Sequence, residues 1–168
     1  YEIPLRLVGS EMCIRDRGYS GEREDKSGAV IKEIIENAGF KVEKMVIVPD
    51  EKEMLKKEFI NMSDELKVNL ILSTGGTGFS KRDITPEATK EIIDREAPGI
   101  CEAIRMYSLQ ITKRAMLSRA VSGIRKDTLI VNLPGSPKAC EEALDFILDE
   151  LKHGIGILIG EAKECARK

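Results

Sequence analysis

Three short stretches of this chain carry residues suited to holding a phosphorylated ligand. The first is Ser73-Thr74-Gly75-Gly76-Thr77-Gly78. Its glycines let the backbone turn tightly, so that several N–H groups can meet one anion. Thr74 and Thr77 can add hydroxyl donors. The spacing is neither G-x-x-x-x-G-K-[ST] nor G-x-G-x-x-G, so the loop is neither a P-loop nor a dinucleotide fingerprint. Lys81-Arg82-Asp83 follows at once. A carboxylate beside a phosphate site makes sense if Mg²⁺ bridges the two, since bare carboxylate and phosphate repel. The second stretch, Val48-Pro49-Asp50-Glu51, offers Asp50 as another carboxylate. The third, Asn132-Leu133-Pro134-Gly135-Ser136-Pro137, offers a side-chain amide for the edge of a heterocycle, on a loop stiffened by prolines, with Lys138 opening the next helix. Ser118 and Arg119 are weaker candidates. Each stretch also has a plain structural use. The glycine loop serves as a strand-to-helix turn, Asp83 as a cap or the ion-pair partner of Arg82, Asp50 as a helix N-cap, and the proline loop as a rigid corner.

What must position these loops is an alternation of helices and strands. Val30, Ile31, Ile34, Ile35 and Ala38 make one helical stripe, with Gly39 at the C′ stop. A strand follows over Val42–Val48, then a helix carrying Met54, Leu55, Phe59 and Met62. Val68–Leu72 is a short apolar run between helices, the pattern of a parallel strand buried on both faces. Thr85-Pro86-Glu87 announces a helix, with Thr85 as N-cap, Pro86 at N1 and Glu87 complementing the positive end. Another helix follows Pro98-Gly99 and runs through about Tyr107. Two strands, Ala120–Ile124 and Thr128–Asn132, flank a tight turn, and a long helix lined by Ala139, Ala143, Leu144, Ile147, Leu148 and Leu151 closes the chain. The fold class this predicts is α/β: a three-layer α/β/α sandwich around a mostly parallel sheet. In such sheets ligands gather at the carboxyl ends of the strands, where all three polar stretches fall.

The chain has 168 residues, a usual size for one domain, with 42% hydrophobic and 33% charged. Only 4% are aromatic and none is Trp, so aliphatic side chains must fill the core. A net charge of -2 supplies no basic field for nucleic acid or an anionic membrane. Cys13, Cys101, Cys140 and Cys165 lie far apart and His153 is the sole histidine. A His/Cys metal site is therefore not expected, and reduced thiols in a cytoplasmic protein are. No apolar run approaches the ~20 residues of a membrane span. Residues 1–15 fit poorly: Gly9, Ser10 and Glu11 stand where a buried strand wants Val or Ile. Ile3, Leu5 and Leu7 allow an edge strand, but the favoured expectation is a non-native or poorly structured leader, with one domain over 16–168. Resequencing the source locus should then find no continuous frame through Tyr1–Arg15, and an uninterrupted frame there would end that idea.

Leu70 to Phe79, continuing through Arg82-Asp83-Ile84-Thr85-Pro86-Glu87-Ala88, resembles the signature of the molybdopterin-binding MoaB/Mog family. Met116-Leu117-Ser118-Arg119 and Asn132 to Pro137 resemble two later signatures, and Ser20 to Gly28 the loop after the first strand. The resemblance runs from about Asp16 to about Gly160. It departs at Cys13-Ile14-Arg15-Asp16, where Arg15 replaces a small hydroxyl residue. The family implies the MoaB/Mog-like fold and a molybdopterin adenylyltransferase: molybdopterin plus Mg-ATP gives adenylyl-molybdopterin and pyrophosphate. By that analogy Asp50 and Asp83 serve catalysis and Mg²⁺ binding. Thr74, Gly75, Gly76, Thr77, Gly78, Ser118, Asn132, Pro134, Gly135 and Ser136 would form the substrate pocket. The family also implies a homotrimer or dimer of trimers, and the downstream molybdate-insertion protein as a partner. A non-catalytic pterin-binding protein of the same fold is the alternative.

Overall fold

The structure, a computed structural model, describes the backbone of residues 6–11 and the whole of residues 26–161. In chain order the elements are β1 (Arg6–Glu11), α1 (Lys26–Asn37), β2 (Lys41–Ile47), α2 (Lys52–Ile60), β3 (Leu70–Thr74), α3 (Thr85–Ile92), β4 (Arg95–Glu96), α4 (Pro98–Leu109), β5 (Ser122–Arg125), β6 (Thr128–Leu133) and α5 (Pro137–Leu158). A π-helical turn, Asn61–Glu65, extends α2, and a 3₁₀ turn, Lys113–Leu117, follows α4. The expectations placed on Cys13–Asp16, on the Ser20–Asp25 loop and on Cys165 fall outside the described residues.

One six-stranded sheet runs in the order β2-β1-β3-β6-β5-β4. The first four strands in that order are parallel, while β5 is antiparallel to β6 and β4 to β5. The alternation of β3 and β6 builds a core on each face. Leu70, Leu72, Leu129, Val131 and Leu133 join Ile31, Ile35, Ile104, Leu144, Ile147 and Leu151, from α1, α4 and α5. Ile71 and Ile130 join Leu55, Phe59, Met62, Ala88 and Ile92, from α2 with its π-helical extension and from α3. This is the three-layer sandwich expected, with apolar residues on both sides of its central strands.

Three details differ from expectation. Arg6–Glu11 takes a central place, pairing in parallel with β2 on one side and β3 on the other. A ladder is made of backbone groups, so the composition that argued against a buried strand does not prevent pairing. Thr85 is the first residue of α3 and Ile84 holds the cap position. Finally, the two-residue β4 leaves no pattern in the sequence, because Arg95 and Glu96 are both exposed and too few to show a period.

The chain steps from β1 outward to β2 and then back across to β3, so the strand order reverses beside β1. The ends of β2, β3 and β6 therefore deliver Asp50, the glycine loop and the proline loop to the crevice side of the sheet.

Candidate functional site

The glycine loop is shaped by what holds its carbonyls. Thr85 Oγ1 donates to Gly75 O at 2.9 Å, and Thr85 N donates to Gly76 O at 3.1 Å. Arg119 N donates to Thr77 O at 2.8 Å, and Arg119 Nε to Gly78 O at 2.7 Å. Four successive carbonyls are thus turned onto protein donors. The peptide bonds are trans, and in a trans peptide the N–H points opposite to the C=O of the same unit. The N–H groups of Gly76, Thr77, Gly78 and Phe79 are therefore directed away from those donors. Gly75 and Gly76 reach it with φ of 89° and 66°, left-handed values that glycine takes without strain. At Gly76 there is also no room for a side chain: a Cβ would lie 2.2 Å from Thr85 Oγ1.

A buried polar chain supports the loop from beneath. Asn132, fully buried, donates from Nδ2 to Ser73 Oγ and to Thr89 Oγ1, both at 2.9 Å, and accepts from Val121 N at 3.1 Å. Thr89 Oγ1 passes the connection to Thr85 O at 2.9 Å. The amide of Asn132 is saturated by these partners. Its place is inside the protein, bracing β3, β6 and α3, and it does not face the crevice as its motif suggested. Thr74 is similarly engaged, donating to Pro134 O at 2.5 Å and so tying the glycine loop to the proline loop. Cys140 Sγ also donates to Pro134 O, at 2.9 Å, and Ser27 Oγ to Gly135 O at 3.2 Å. Ser136 caps α5, accepting from Ala139 N at 3.2 Å. Ser118, with Glu87, Lys90, Arg105 and Arg119 itself, helps line a pocket of about 420 Å³.

The two carboxylates are held differently. Asp83 Oδ2 accepts from Ser80 N at 2.8 Å, closing the turn that leads into α3. Asp50 is 6% exposed in its side chain, with Arg82 Nη2 3.1 Å from its Oδ2. Glu51, not Asp50, occupies the N-cap position of α2. Arg82, from the segment that follows the glycine loop, thus lies against the carboxylate at the end of β2. Among the described residues no three His, Cys, Asp or Glu side chains are grouped to cage a metal. Mg²⁺ does not require such a cage, because it is commonly held by one or two carboxylates together with substrate phosphates. Asp50 and Asp83 suit that mode. Neither described cysteine is an available thiolate: Cys101 and Cys140 are buried, and burial pushes the Cys101 thiol up.

Arg119 is the residue that sequence reasoning undervalued. Its Nη2 donates to Asp83 O at 2.6 Å and its Nη1 pairs with the Glu87 carboxylate, in addition to the contacts with Thr77 and Gly78. The partners of its side chain stand 32 to 41 positions away in sequence, a separation that no local pattern reports.

Residues 7–153 match the family described as probable molybdopterin binding domain. The chain is 39% identical over 158 residues to the molybdopterin adenylyltransferase of Helicobacter pylori strain J99, covering 91% of this chain and 88% of that one. It is 41% identical over 151 residues to the molybdopterin adenylyltransferase of Escherichia coli K12, covering 86% and 77%. Among solved structures, the molybdopterin biosynthesis enzyme MoaB from Thermus thermophilus superposes with a TM-score of 0.87 at 41% identity, covering 95% of this chain and 99% of that one.

Proposed function

The chain belongs to the molybdopterin-binding domain family, and from that premise we infer that it is a molybdopterin adenylyltransferase acting in molybdenum-cofactor synthesis in the cytoplasm. The terminal phosphate of molybdopterin attacks the α-phosphorus of ATP. A new P–O bond forms, the bond from the α-phosphorus to the oxygen bridging the β-phosphate breaks, and pyrophosphate leaves. Such transfers need positioning and charge neutralisation more than covalent help from the protein.

The observation that carries this reading is the run of carbonyls from Gly75 to Gly78, each held by a protein donor. It turns four consecutive N–H groups the other way, as a cradle for the pterin phosphate. Asp50 and Asp83 would hold Mg²⁺, and the cation would neutralise the triphosphate. Pro134, Gly135 and Ser136 form the wall beyond β6, fixed to the glycine loop through Thr74. The adenylylated product is a substrate for the molybdate-insertion step, whose protein is the expected downstream partner.

The direct test is to incubate the protein with molybdopterin and Mg-ATP and to follow pyrophosphate and adenylylated pterin. Both should appear in equal amounts. Pterin binding without pyrophosphate would make the chain a binding protein instead.

A homotrimer, or a dimer of trimers, is part of the same proposal. Met106, Ile111, Met116 and Leu117 are 70%, 51%, 62% and 45% exposed, from the end of α4 through the 3₁₀ turn. Exposed apolar side chains on these adjoining elements support an interface there. Light scattering should give the mass of three or six chains, and a monomeric mass at micromolar concentration would refute the assembly.

A further inference from the structure

We propose that Arg119 is a positioning residue for adenylyl transfer, the latch that holds the phosphate cradle and the Asp83 carboxylate in one fixed relation. This role rests on the function just proposed and gives that site a component its motifs leave unexplained.

The guanidinium is a planar fork with donors in three directions, and Arg119 uses all three. Nε holds Gly78 O at 2.7 Å, Nη2 holds Asp83 O at 2.6 Å, and Nη1 pairs with the Glu87 carboxylate on α3. Its own backbone N–H holds Thr77 O at 2.8 Å. The two carbonyls gripped by the side chain lie at opposite ends of the 78–83 turn. Gripping Gly78 O directs the Phe79 N–H, the last of the cradle, away from Arg119. Gripping Asp83 O fixes the backbone that carries the carboxylate. Closing the turn a second time, Asp83 Oδ2 accepts from Ser80 N at 2.8 Å. Phe79, Ser80, Lys81 and Arg82 are all exposed, so packing gives this turn little hold. Hydrogen bonds therefore hold its shape: Ser80 and Asp83 close it from within, and Arg119 makes the bonds at its two ends. Glu87 anchors the fork to α3, the helix whose first residue, Thr85, holds the other half of the loop.

Arg119 touches carbonyls and a carboxylate of its own chain, so its effect on the reaction passes through the loop. Lysine keeps the charge but offers one ammonium, which cannot bridge two carbonyls and a carboxylate with the same geometry.

The test compares wild type with Arg119→Lys in two independent measurements. Hydrogen exchange without any ligand should quicken in the segment 77–84 and stay unchanged in β3 and β6. Single-turnover adenylylation should fall by ~10–10²-fold, the usual consequence of sub-ångström to ångström misplacement. Pterin affinity should fall less, because Thr85 still holds the Gly75 and Gly76 carbonyls. Unchanged exchange in 77–84, or unchanged turnover, would overturn the proposal. Faster exchange in the variant of a protein whose wild type makes no adenylylated pterin leaves the latch standing and defeats the assigned reaction. If Arg119→Lys does not fold, Glu87→Gln serves, since Glu87 is half-exposed. It should quicken exchange in 77–84 by a few-fold, and no change there would count against the latch.

Discussion

Gly76→Ala should cost the protein both stability and its ligand. The residue sits at φ 66°, and a Cβ built there lies 2.2 Å from Thr85 Oγ1. Holding a non-glycine residue in a sparsely populated conformation costs about 1–3 kcal/mol. The contact then forces Thr85 aside, away from the Gly75 carbonyl it now holds at 2.9 Å, and an unsatisfied buried acceptor costs a further ~1–3 kcal/mol. For a domain of this size each kcal/mol is worth about 2–4 °C, so Tm should fall by roughly 4–24 °C. Gly39→Ala provides the comparison. Its φ is 86°, yet nothing lies within 4 Å of the added methyl. Only the conformational cost of about 1–2 kcal/mol applies there. Molybdopterin affinity should drop at least about tenfold in the Gly76 variant, because the cradle N–H groups move with the displaced carbonyls, and should be unchanged in the Gly39 variant. Equal thermal shifts in the two proteins, with equal affinities, would show that the loop tolerates a side chain and is only a turn.

The layers of this fold were legible because they follow from periodicity. The stripe Ile31, Ile35 and the stripe Leu55, Phe59, Met62 each face a core as their spacing requires. The glycine loop was legible too, since two adjacent glycines after a buried strand ask for positive φ, and both have it. What stayed hidden is the division of labour inside the motifs. Asn132 looks like a ligand-reading amide from its neighbours in sequence, but its alternate position on β6 turns the side chain toward Ser73 and Thr89, where it is saturated. Thr74 is adjacent to the cradle, and its hydroxyl nevertheless ties two loops together. Thr85 was expected to cap its own helix and instead serves the glycine loop ten residues earlier. These assignments depend on which groups the fold brings across the sheet, and a sequence reveals the residue types without revealing those partners. The central strand β1 was hidden for a different reason, because backbone pairing leaves little mark on composition.

The charge of the two carboxylates should be the feature that separates catalysis from binding. In Asp83→Asn the side-chain oxygen can still accept from Ser80 N, now 2.8 Å from Asp83 Oδ2, so the turn into α3 should survive. In Asp50→Asn the amide replaces a carboxylate that is 6% exposed beside Arg82, and Arg82 itself is 47% exposed, so its cation keeps access to water. Neither change removes a carbonyl contact of the cradle. Pterin binding should therefore stay within a few-fold of wild type in both. Adenylyl transfer should fall by ~10²–10³ in each, the usual loss when one preorganised electrostatic contact is deleted. If the two carboxylates act on one cation, the double variant should lose much less than the product of the two single losses. Were Asp83 only a turn cap, the expected result is little change in stability with near-normal turnover, because Asn caps about as well as Asp. The measurements are single-turnover adenylylation and equilibrium pterin binding on wild type, both single variants and the double variant. Turnover within about threefold of wild type, far short of an electrostatic loss, would strike the residue concerned from the catalytic pair, while independent multiplication of the two losses would mean that the carboxylates serve separate steps or separate ions.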